Sequence, residues 1–192
     1  MITLIIVDCQ NDFISGTLSV KGARNSVEEI KKFIKSHKKD INKIVFTVDW
    51  HPYTHSSFKK NGGQWPAHCV QYTPGACIEP KLLKFVQSLG IHYEISQKGT
   101  VEEVEEYGAF SDIEYVNDNL GNHCYLDDNI SVSPDSDFVV CGIAGDYCVK
   151  ETMKNLLNGG ITPKVFCPGI ASIDGGQALN DFIKEKQLDK VV

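Results

Sequence analysis

The sequence predicts a single domain with a three-layer αβα fold, in which a doubly wound and mainly parallel β-sheet lies between two layers of helices. Three observations lead to this prediction. Apolar, β-rich segments alternate with amphipathic helical segments along the chain. The connections lack the tight turns of β-hairpins, which favours parallel strands joined by helical crossovers. A length of 192 residues suits one domain with a sizeable core, so we assign residues 1–192 to one domain.

The first third of the chain contains two predicted strands and one helix. The first strand, Ile2–Val7, is a run of β-branched and apolar residues. The segment Ser26–His37 carries its apolar side chains at helical spacing and predicts the first helix. A second apolar run, Lys43–Val48, predicts the second strand. A long loop with Gly, Pro and aromatic residues then extends from about Trp50 to Gly75.

The middle of the chain continues the alternation, with one exception. The segment Pro80–Leu89 predicts a helix, because Gly90 is a favourable C-cap. The third and fourth strands are predicted at Ile91–Ser96 and Asp137–Gly142. The segment Glu114–Ile130 between them does not fit the alternation. Its sequence leaves open whether it forms a loop or a small β-ribbon.

The last part of the chain returns to the same pattern. A helix is predicted over Asp146–Leu157, and the Asn-Gly-Gly sequence that follows at 158–160 ends it. The fifth strand is predicted at Pro163–Cys167 and the last helix at Gln177–Gln187. Each strand is thus followed by a helical segment or a long connection, as a doubly wound sheet requires.

Composition and charge disfavour several classes of function. Hydrophobic residues make up 42% of the chain and charged residues 23%, which is ordinary for a globular protein. The net charge of −6 is spread along the chain, so we expect neither a nucleic acid nor an anionic membrane as a partner. The seven cysteines include no CxxC pair, and no export signal is seen at the start. These features favour reduced thiols and a cytoplasmic location.

Polar residues that could take part in catalysis or binding follow the predicted strands. Asp8, Asp49 and Lys98 come after the first three strands, and the turn after the fourth strand leads to Cys148. Ligands of open α/β sheets bind beyond the carboxyl ends of the strands. The sequence therefore predicts that these four residues converge at one edge of the sheet.

Cys148 is the candidate nucleophile. The stretch from Val139 to Val149 indicates a strand, a turn of small residues and a helix, with Cys148 in the first helical turn. Helix N–H groups there favour a thiolate and can hold a developing oxyanion. A lone cysteine is more often an inert packing residue, but Asp8 and Lys98 at neighbouring strand ends favour the catalytic interpretation. The rival, Cys141, lies within an apolar strand and is interpreted as a core residue.

Asp8 and Lys98 complete the predicted catalytic set. Alone, Asp8 would suit a turn and Lys98 an exposed surface position. Beside the thiol of Cys148, Asp8 can act as a general base that takes the thiol proton and then returns it to the leaving amine. Lys98 would stay charged, keep Asp8 ionised and favour the thiolate.

Histidines in the long loop predict a metal site. Asp49 and His51 share one face of an extended segment, so both can bind one ion. His68 is the best candidate for a third ligand, and His55 is a possible fourth ligand or a residue that supports the others. Solvated loop histidines are the alternative. Two histidines and a carboxylate leave coordination positions open, and zinc, iron and manganese all suit these donors, so the identity of the metal stays open.

The candidate residues belong to a set of longer motifs. These are Asp8-Cys9-Gln10-Asn11-Asp12-Phe13, Asp49-Trp50-His51-Pro52, His55-Ser56-Ser57-Phe58, Trp65-Pro66-Ala67-His68-Cys69-Val70, Thr73-Pro74-Gly75-Ala76, Lys98-Gly99 and the stretch from Gly142 to Val149. In these motifs, and over nearly its whole length, the chain resembles the nicotinamidases of the isochorismatase-like cysteine hydrolase superfamily. The metal-loop motifs separate nicotinamidases from members of the superfamily that lack a metal.

The resemblance implies an isochorismatase-like fold and an amidase that hydrolyses nicotinamide to nicotinate and ammonia. It implies a catalytic triad of Asp8, Lys98 and Cys148, a thioester intermediate, and a metal that binds the pyridine nitrogen. The implied metal ligands are Asp49, His51 and His68. A role in recycling nicotinamide toward NAD and a side activity on pyrazinamide are also expectations from the family.

The resemblance further implies a substrate pocket and an oxyanion hole. Phe13 and Trp65 would flank the pyridine ring, and Tyr107 matches a pocket tyrosine of relatives. A cis peptide bond before Ala144 would direct its N–H, with that of Cys148, toward the oxyanion.

Some features depart from the family or stay open. Gly145 stands where relatives usually carry Thr, and the segment Glu114–Ile130 is longer than expected. Two alternatives remain: a metal-independent amidase acting on a carbamoyl or ureido substrate, and a non-catalytic protein that binds zinc or responds to redox state. The oligomeric state is also open, with a homo-oligomer as one outcome.

Overall fold

The structure is a computed structural model that describes residues 1–118 and 121–192. In chain order its elements are β1 Ile2–Val7, α1 Asn11–Ile14, α2 Ala23–Ser36, β2 Ile41–Asp49, α3 Pro80–Leu89, β3 Tyr93–Lys98, β4 Glu114–Asp118, β5 Gly121–Asp127, β6 Ile130–Val132, β7 Asp137–Ile143, α4 Lys150–Asn158, β8 Lys164–Ala171 and α5 Gln177–Lys186. Short 3-10 turns lie at Lys59–Asn61 and Pro74–Ala76, and one π-helical turn at Gly145–Val149 precedes α4.

A five-stranded parallel sheet forms the centre of the molecule, with the strand order β3-β2-β1-β7-β8. The first strand of the chain is therefore the middle strand, and the chain winds outward from it in both directions. This arrangement confirms the predicted doubly wound αβα fold. The change of winding direction lies between β1 and β7, and α/β sheets open a crevice for ligands at such a point.

The two faces of the sheet carry separate apolar cores. Leu4 and Ile6 of β1 point to the face covered by α2 and α3, whereas Ile5 and Val7 point to the face covered by α4 and α5. This alternation follows from the two-residue period of a strand. Each such fully buried side chain contributes roughly 1.5–3 kcal/mol through the hydrophobic effect. Burial on both faces explains why β1 is continuously apolar.

The segment that the sequence left undecided forms a second, smaller sheet. Strands β4, β5 and β6 pair in an antiparallel manner in that order. Leu126, Ile130 and Val132 from this sheet are buried in the same core as α4 and α5. The small sheet thus extends one layer of the molecule and does not join the parallel sheet. Residues 119 and 120 of this segment lie outside the described part of the chain.

Several element boundaries differ from the sequence prediction. The first long helix, α2, begins at Ala23 and not at Ser26, because Gly22 takes a left-handed conformation (φ 88°) that turns the chain into the helix. Strand β8 continues to Ala171, past the predicted end at Cys167. Within residues 1–118 and 121–192, no helix is long and apolar enough to cross a membrane.

Candidate active site

The carboxyl ends of neighbouring strands bring four of the predicted site residues together. Asp8 directly follows β1, Asp49 ends β2 and Lys98 ends β3, while Cys148 lies in the π-helical turn after β7. The strand register pairs Asp49 with Lys98. All four side chains are buried, and Asp8, Lys98 and Cys148 expose only 0%, 2% and 5% of their surface. Residues that are far apart in the chain therefore share one enclosed site.

Lys98 is the central contact of this cluster. Its Nζ lies 2.9 Å from Asp8 Oδ2 and 3.6 Å from Cys148 Sγ, and it donates a hydrogen bond to Asp49 Oδ1. One oxygen each of Asp8 and Asp49 and the Cys148 sulfur all lie within 4.8 Å of one another. The Cys148 thiol, the Asp8 carboxylate and the Lys98 ammonium thus form one cluster, in which a proton can pass between neighbouring groups.

The backbone and one buried hydroxyl hold Asp8 in place. Asp8 has a positive φ of 47°, which ends β1 and turns the carboxylate toward the site. Thr47 Oγ1 donates a 2.6 Å hydrogen bond to Asp8 Oδ1, and both residues are fully buried. The sequence analysis missed Thr47. Its position beside Val7 in the parallel register of β1 and β2 becomes visible only when the strands are paired.

Burial and mutual charge set the protonation of this cluster. Burial raises the pKa of Asp8, although the Lys98 ammonium opposes this effect. Burial also raises the pKa of the Cys148 thiol well above its ordinary value, again with Lys98 in opposition. Burial lowers the pKa of Lys98, but Asp49 and Asp8 outweigh it and keep that pKa well above the ordinary value. The sequence led us to expect a thiolate, whereas this balance favours a thiol that gives its proton to a base during reaction.

Asp49, His51 and His68 form a compact donor cluster beside Lys98. One ligand atom of each lies within 4.8 Å of the others, and all three residues are buried. Asp49 Oδ2 is 3.4 Å from His51 Nε2 and 3.8 Å from His68 Nε2. Burial raises the pKa of Asp49, but Lys98 and His51 bring it below its ordinary value, so the carboxylate is ionised. Two imidazoles and a carboxylate are a donor set that fits a divalent transition metal.

Backbone carbonyls fix the orientation of both histidines. His51 Nδ1 lies 2.9 Å from the carbonyl of Gly99, and His68 Nδ1 lies 2.8 Å from the carbonyl of Pro66. Donation from Nδ1 leaves Nε2 of each ring as the free lone pair that faces Asp49, which is the arrangement expected for metal ligands. Gly99 has a φ of 62°, and a Cβ there would come within 2.4 Å of the His51 ring. Glycine is therefore required next to Lys98.

His55 does not join the donor cluster. Its Nδ1 lies 2.7 Å from Ser57 Oγ and its Nε2 lies 3.0 Å from the carbonyl of Val104, so both ring nitrogens have partners. Its ring packs against that of His51, with centroids 4.2 Å apart. Of the two roles that the sequence left open, the structure favours a supporting role over that of a fourth ligand.

Two further polar residues near the site escaped the sequence analysis as individuals, although a quoted motif contains them. Gln10 holds the backbone of Asp49: its Nε2 donates to the Asp49 carbonyl and its Oε1 accepts from the Asp49 N–H, both at 2.8 Å. Asp12 accepts a 2.8 Å hydrogen bond from the N–H of Cys69, which has a positive φ of 45° next to His68. The sequence signal that could have identified Gln10 and Asp12 is their position shortly after the first strand.

The turn before Cys148 has the backbone that the family resemblance implies. The peptide bond between Ile143 and Ala144 is cis. Gly142 has a φ of 122°, and a Cβ at this position would lie 2.0 Å from the carbonyl oxygen of Val7. Gly145 stands where relatives usually carry Thr. A Cβ at this position would lie 2.2 Å from Ser172 Oγ, so the serine hydroxyl occupies the space that a side chain would need.

The three predicted substrate-binding residues line one pocket with the thiol. Phe13, Trp65 and Tyr107 surround it together with Cys148 and Ala144. Trp65 Nε1 donates a 3.0 Å hydrogen bond to Tyr107 Oη, which fixes both rings. The pocket also contains Asp49 and His68, so its walls connect the thiol to the donor cluster.

Tyr147 and Glu105 are additional pocket residues that the sequence analysis did not single out. The Tyr147 ring contacts that of Trp65 edge-on, with centroids 5.2 Å apart, and it also contacts Tyr107. Glu105 lies on the connection between β3 and β4, where the sequence has no regular pattern that would have revealed it. The rival nucleophile Cys141 is fully buried in the core, as predicted.

Comparison with known proteins relates this chain to an established family. The family model described as Isochorismatase domain matches residues 3–88. The nicotinamidase of Saccharomyces cerevisiae is 34% identical over 178 residues, which cover 79% of this chain and 79% of the relative.

Solved structures agree with these sequence matches. The structure of yeast nicotinamidase Pnc1p superposes with a TM-score of 0.78 at 27% identity and covers 100% of this chain and 99% of its own. The pyrazinamidase of Pyrococcus horikoshii in complex with zinc has a TM-score of 0.73 at 26% identity, with 99% and 98% covered. Both likenesses extend over the whole sheet and both of its helical layers.

Proposed function

The chain belongs to the nicotinamidase family of isochorismatase-like hydrolases, and from this premise we propose that it hydrolyses nicotinamide to nicotinate and ammonia through a thioester on Cys148. It is an amidohydrolase, as its family is. The single observation that carries the proposal is the contact of Lys98 with both Asp8 and Cys148, directly beside the donor cluster. A binding protein would have no use for a buried base next to a thiol.

In the acylation step, Asp8 takes the proton of the Cys148 thiol while the sulfur attacks the amide carbon. The raised pKa of Asp8, caused by burial, makes its carboxylate a stronger base than an exposed aspartate. The resulting tetrahedral intermediate collapses when Asp8 gives its proton to the amide nitrogen. Ammonia leaves, and the acyl group stays on sulfur as a thioester.

In the deacylation step, water hydrolyses the thioester, and Asp8 again acts first as a base and then as an acid. Asp8 removes a proton from a water molecule that attacks the thioester carbon, and the proton then goes to the Cys148 sulfur as it leaves. Nicotinate is released and the thiol is restored. Lys98 stays protonated throughout, because Asp49 and Asp8 hold its pKa high, and it stabilises negative charge on the sulfur.

The carbonyl oxygen of the substrate becomes an anion in both tetrahedral intermediates. We propose the N–H groups of Ala144 and Cys148 as its oxyanion hole. Ala144 is the N-cap of the π-helical turn that contains Cys148, and both residues line the pocket, which supports this role. Loss of one such donor typically costs a factor of about 100–1,000 in kcat.

Asp49, His51 and His68 would hold one divalent metal, with zinc as the first choice and iron or manganese as alternatives. The convergence of one oxygen and two Nε2 atoms supports this set. Its chemistry would be a coordination position for the pyridine nitrogen, which orients the ring and holds the amide near the thiol. A zinc complex is known for the related Pyrococcus horikoshii pyrazinamidase.

Aromatic side chains would complete ring recognition. Phe13 and Trp65 lie on the pocket wall and can stack on a flat heteroaromatic ring, and Tyr107 fixes Trp65 through its hydroxyl. Pyrazinamide differs from nicotinamide by one ring nitrogen, so we propose it as a second substrate. A cytoplasmic role in the recovery of nicotinamide for NAD synthesis is part of the same proposal.

An ammonia-release assay on protein of known metal content tests this function. Purified protein loaded with zinc should release ammonia from nicotinamide, and Cys148→Ala should release none while it keeps its fold and metal. The matched control is Cys141→Ala, which removes a buried thiol outside the pocket and should keep activity if the protein stays folded. Equal ammonia release by Cys148→Ala and wild type would refute the assignment of the nucleophile.

A further inference from the structure

We propose that Asp8, Asp49 and Cys148 form a second, latent metal site, and that the Lys98 ammonium occupies it and so keeps metal ions off the nucleophile. This role differs from the stabilisation of a thiolate, because it concerns which cations the site admits. It rests on the proposed function in one respect: Asp49 is shared with the proposed ligands His51 and His68.

The geometry of the three donors is that of a cation site. One oxygen each of Asp8 and Asp49 and the sulfur of Cys148 lie within 4.8 Å of one another, and all three residues are at least nine-tenths buried. Asp8 Oδ2 lies 2.9 Å from Lys98 Nζ, in an ion pair that lacks the angles of a regular hydrogen bond. Two buried carboxylates and a thiol that face one point favour a positive charge there.

The Lys98 ammonium supplies that positive charge. Its nitrogen contacts the same three residues: Asp8 Oδ2 at 2.9 Å, Cys148 Sγ at 3.6 Å and Asp49 Oδ1 through a hydrogen bond. Metal–oxygen and metal–sulfur bonds are shorter, at roughly 2.0–2.3 Å. Small movements of the three side chains toward a common centre would therefore convert this cluster into a metal site once the ammonium is gone.

Asp49 connects this latent site to the first metal site. Its Oδ2 faces the two histidines and its Oδ1 faces Lys98. A carboxylate that uses one oxygen on each side is the bridging ligand of two-metal enzymes, whose ions lie about 3.5–4 Å apart. The chain thus carries the donors of a two-metal site, with a lysine in place of the second ion.

This replacement has a chemical consequence for the thiol. A thiolate ligand is a poor nucleophile because its electron pair is engaged by the metal, and binding of the ion would release the thiol proton to solvent. Lys98 neutralises the two carboxylates without forming a bond to sulfur. The Cys148 sulfur therefore keeps its electron pair for the substrate carbonyl.

Cadmium binding to Lys98→Ala tests the proposal. Cadmium bound to a thiolate gives a sulfur-to-metal charge-transfer band in the ultraviolet, so the experiment measures cadmium content per chain and this band together. Wild-type protein should bind one cadmium without the band. Lys98→Ala should bind two and show the band, and the double variant Lys98→Ala/Cys148→Ala should lose both the band and the second ion. One cadmium in Lys98→Ala and no band would overturn the proposal.

A second measurement on the wild-type protein covers the case in which Lys98→Ala does not fold. After the first site is filled, a further excess of cadmium should give no charge-transfer band, and the rate at which a thiol reagent modifies Cys148 should not fall. A band at the second equivalent would show that Lys98 does not exclude metal. A wild-type protein that binds no cadmium at all would overturn the metal part of the proposed function and this site with it.

Discussion

At the residue scale, the contacts of Asp8 show how a buried carboxylate is kept competent as a base. Burial makes its charged form costly, and the Lys98 ammonium and the Thr47 hydroxyl offset that cost. Hydrogen bonds to a charged group contribute about 1.5–3 kcal/mol, about twice the contribution of a neutral hydrogen bond. Thr47 is therefore a positioning residue whose removal should change the chemistry of Asp8.

We predict that Thr47→Val lowers kcat/KM about tenfold or more, because Asp8 loses the contact that holds its carboxylate in position for proton transfer. Loss of a donor to the charged form raises the pKa of Asp8. The acid limb of the pH profile of kcat/KM should therefore move to higher pH, since the carboxylate now becomes protonated at a higher pH.

Thr3→Val is the matched control for that change. Thr3 lies on β1, is fully buried, and its hydroxyl has no hydrogen-bond partner among the described residues. Its replacement should leave the pH profile unchanged and the protein as stable as before or more stable. An unshifted acid limb in Thr47→Val would contradict the role assigned to this hydroxyl.

Histidine variants separate ligands from supporting residues. We predict that His51→Ala loses the bound metal and raises KM for nicotinamide more than it lowers kcat. His55→Gln should keep one metal per chain with an affinity about 10-fold to 100-fold weaker, as expected when a group that supports a ligand is removed. Metal analysis after dialysis, combined with steady-state kinetics, distinguishes the two. Retention of metal by His51→Ala would count against the proposed ligand set.

Four of the residues predicted from the sequence share one property: each ends a strand of the central sheet or lies in the connection directly after one. Asp8, Asp49, Lys98 and Cys148 could be found because position after a strand is visible in one sequence. Thr47 could not, since its role depends on the register between β1 and β2. The role of His55 was left open because its partner carbonyl, that of Val104, lies on a connection without regular structure.

At the element scale, the turn from β7 into the π-helical turn positions Cys148, the proposed nucleophile. The chain at Gly142 passes so close to β1 that a Cβ would lie 2.0 Å from the carbonyl oxygen of Val7. The same glycine has a φ of 122°, a conformation that other residues rarely adopt. Glycine at this position therefore allows both the close approach and the turn.

We predict that Gly142→Ala destabilises the protein by about 3 kcal/mol or more, because backbone strain and a steric clash act together. Gly175→Ala is the matched control. Gly175 also has a positive φ, of 80°, but a Cβ there has no heavy atom within 4 Å, so only a conformational cost of roughly 1–2 kcal/mol is expected. Urea unfolding of the two variants measures the difference. Equal losses would show that the contact with β1 does not matter.

The elements also show which parts of the fold a single sequence can predict. The strands β1, β2 and β7 are buried on both faces and appear as continuous apolar runs, so they were found. The segment Glu114–Ile130 was left undecided, because its exposed apolar residues Tyr115 and Val116 are adjacent and do not alternate regularly with polar ones. Its burial against α4 and α5 depends on long-range packing that no local pattern reveals.

At the scale of the whole molecule, the site lies where the sheet changes its direction of winding. The proposed nucleophile, Cys148, comes from one side of β1 and the donor cluster from the other, with Asp8 between them. Four parallel strands thus position the thiol, the base and the metal donors, and the two apolar cores hold these strands rigidly. The prediction of the fold class succeeded because the alternation of strands and helices left few other topologies.

Metal binding should stabilise the whole fold, because its proposed ligands come from β2 and from the loop after it. At a free zinc concentration about 100-fold above Kd, the gain is about 2.7 kcal/mol. For a chain of this size that corresponds to a rise in Tm of about 5–10 °C. Thermal unfolding with zinc and with a chelator measures this shift. His51→Ala should show no shift, and an equal shift in that variant would place the stabilising metal elsewhere.

The account depends most directly on the formation of a covalent bond between the substrate acyl group and Cys148. Zinc-loaded protein is mixed with nicotinamide, quenched with acid in the steady state and analysed by mass spectrometry of the intact chain and of its peptides. We predict a nicotinoyl adduct on the peptide that contains Cys148, and none in Cys148→Ala. Continued hydrolysis of nicotinamide by Cys148→Ala, or turnover by the wild type with the acyl group on another residue, would contradict the account.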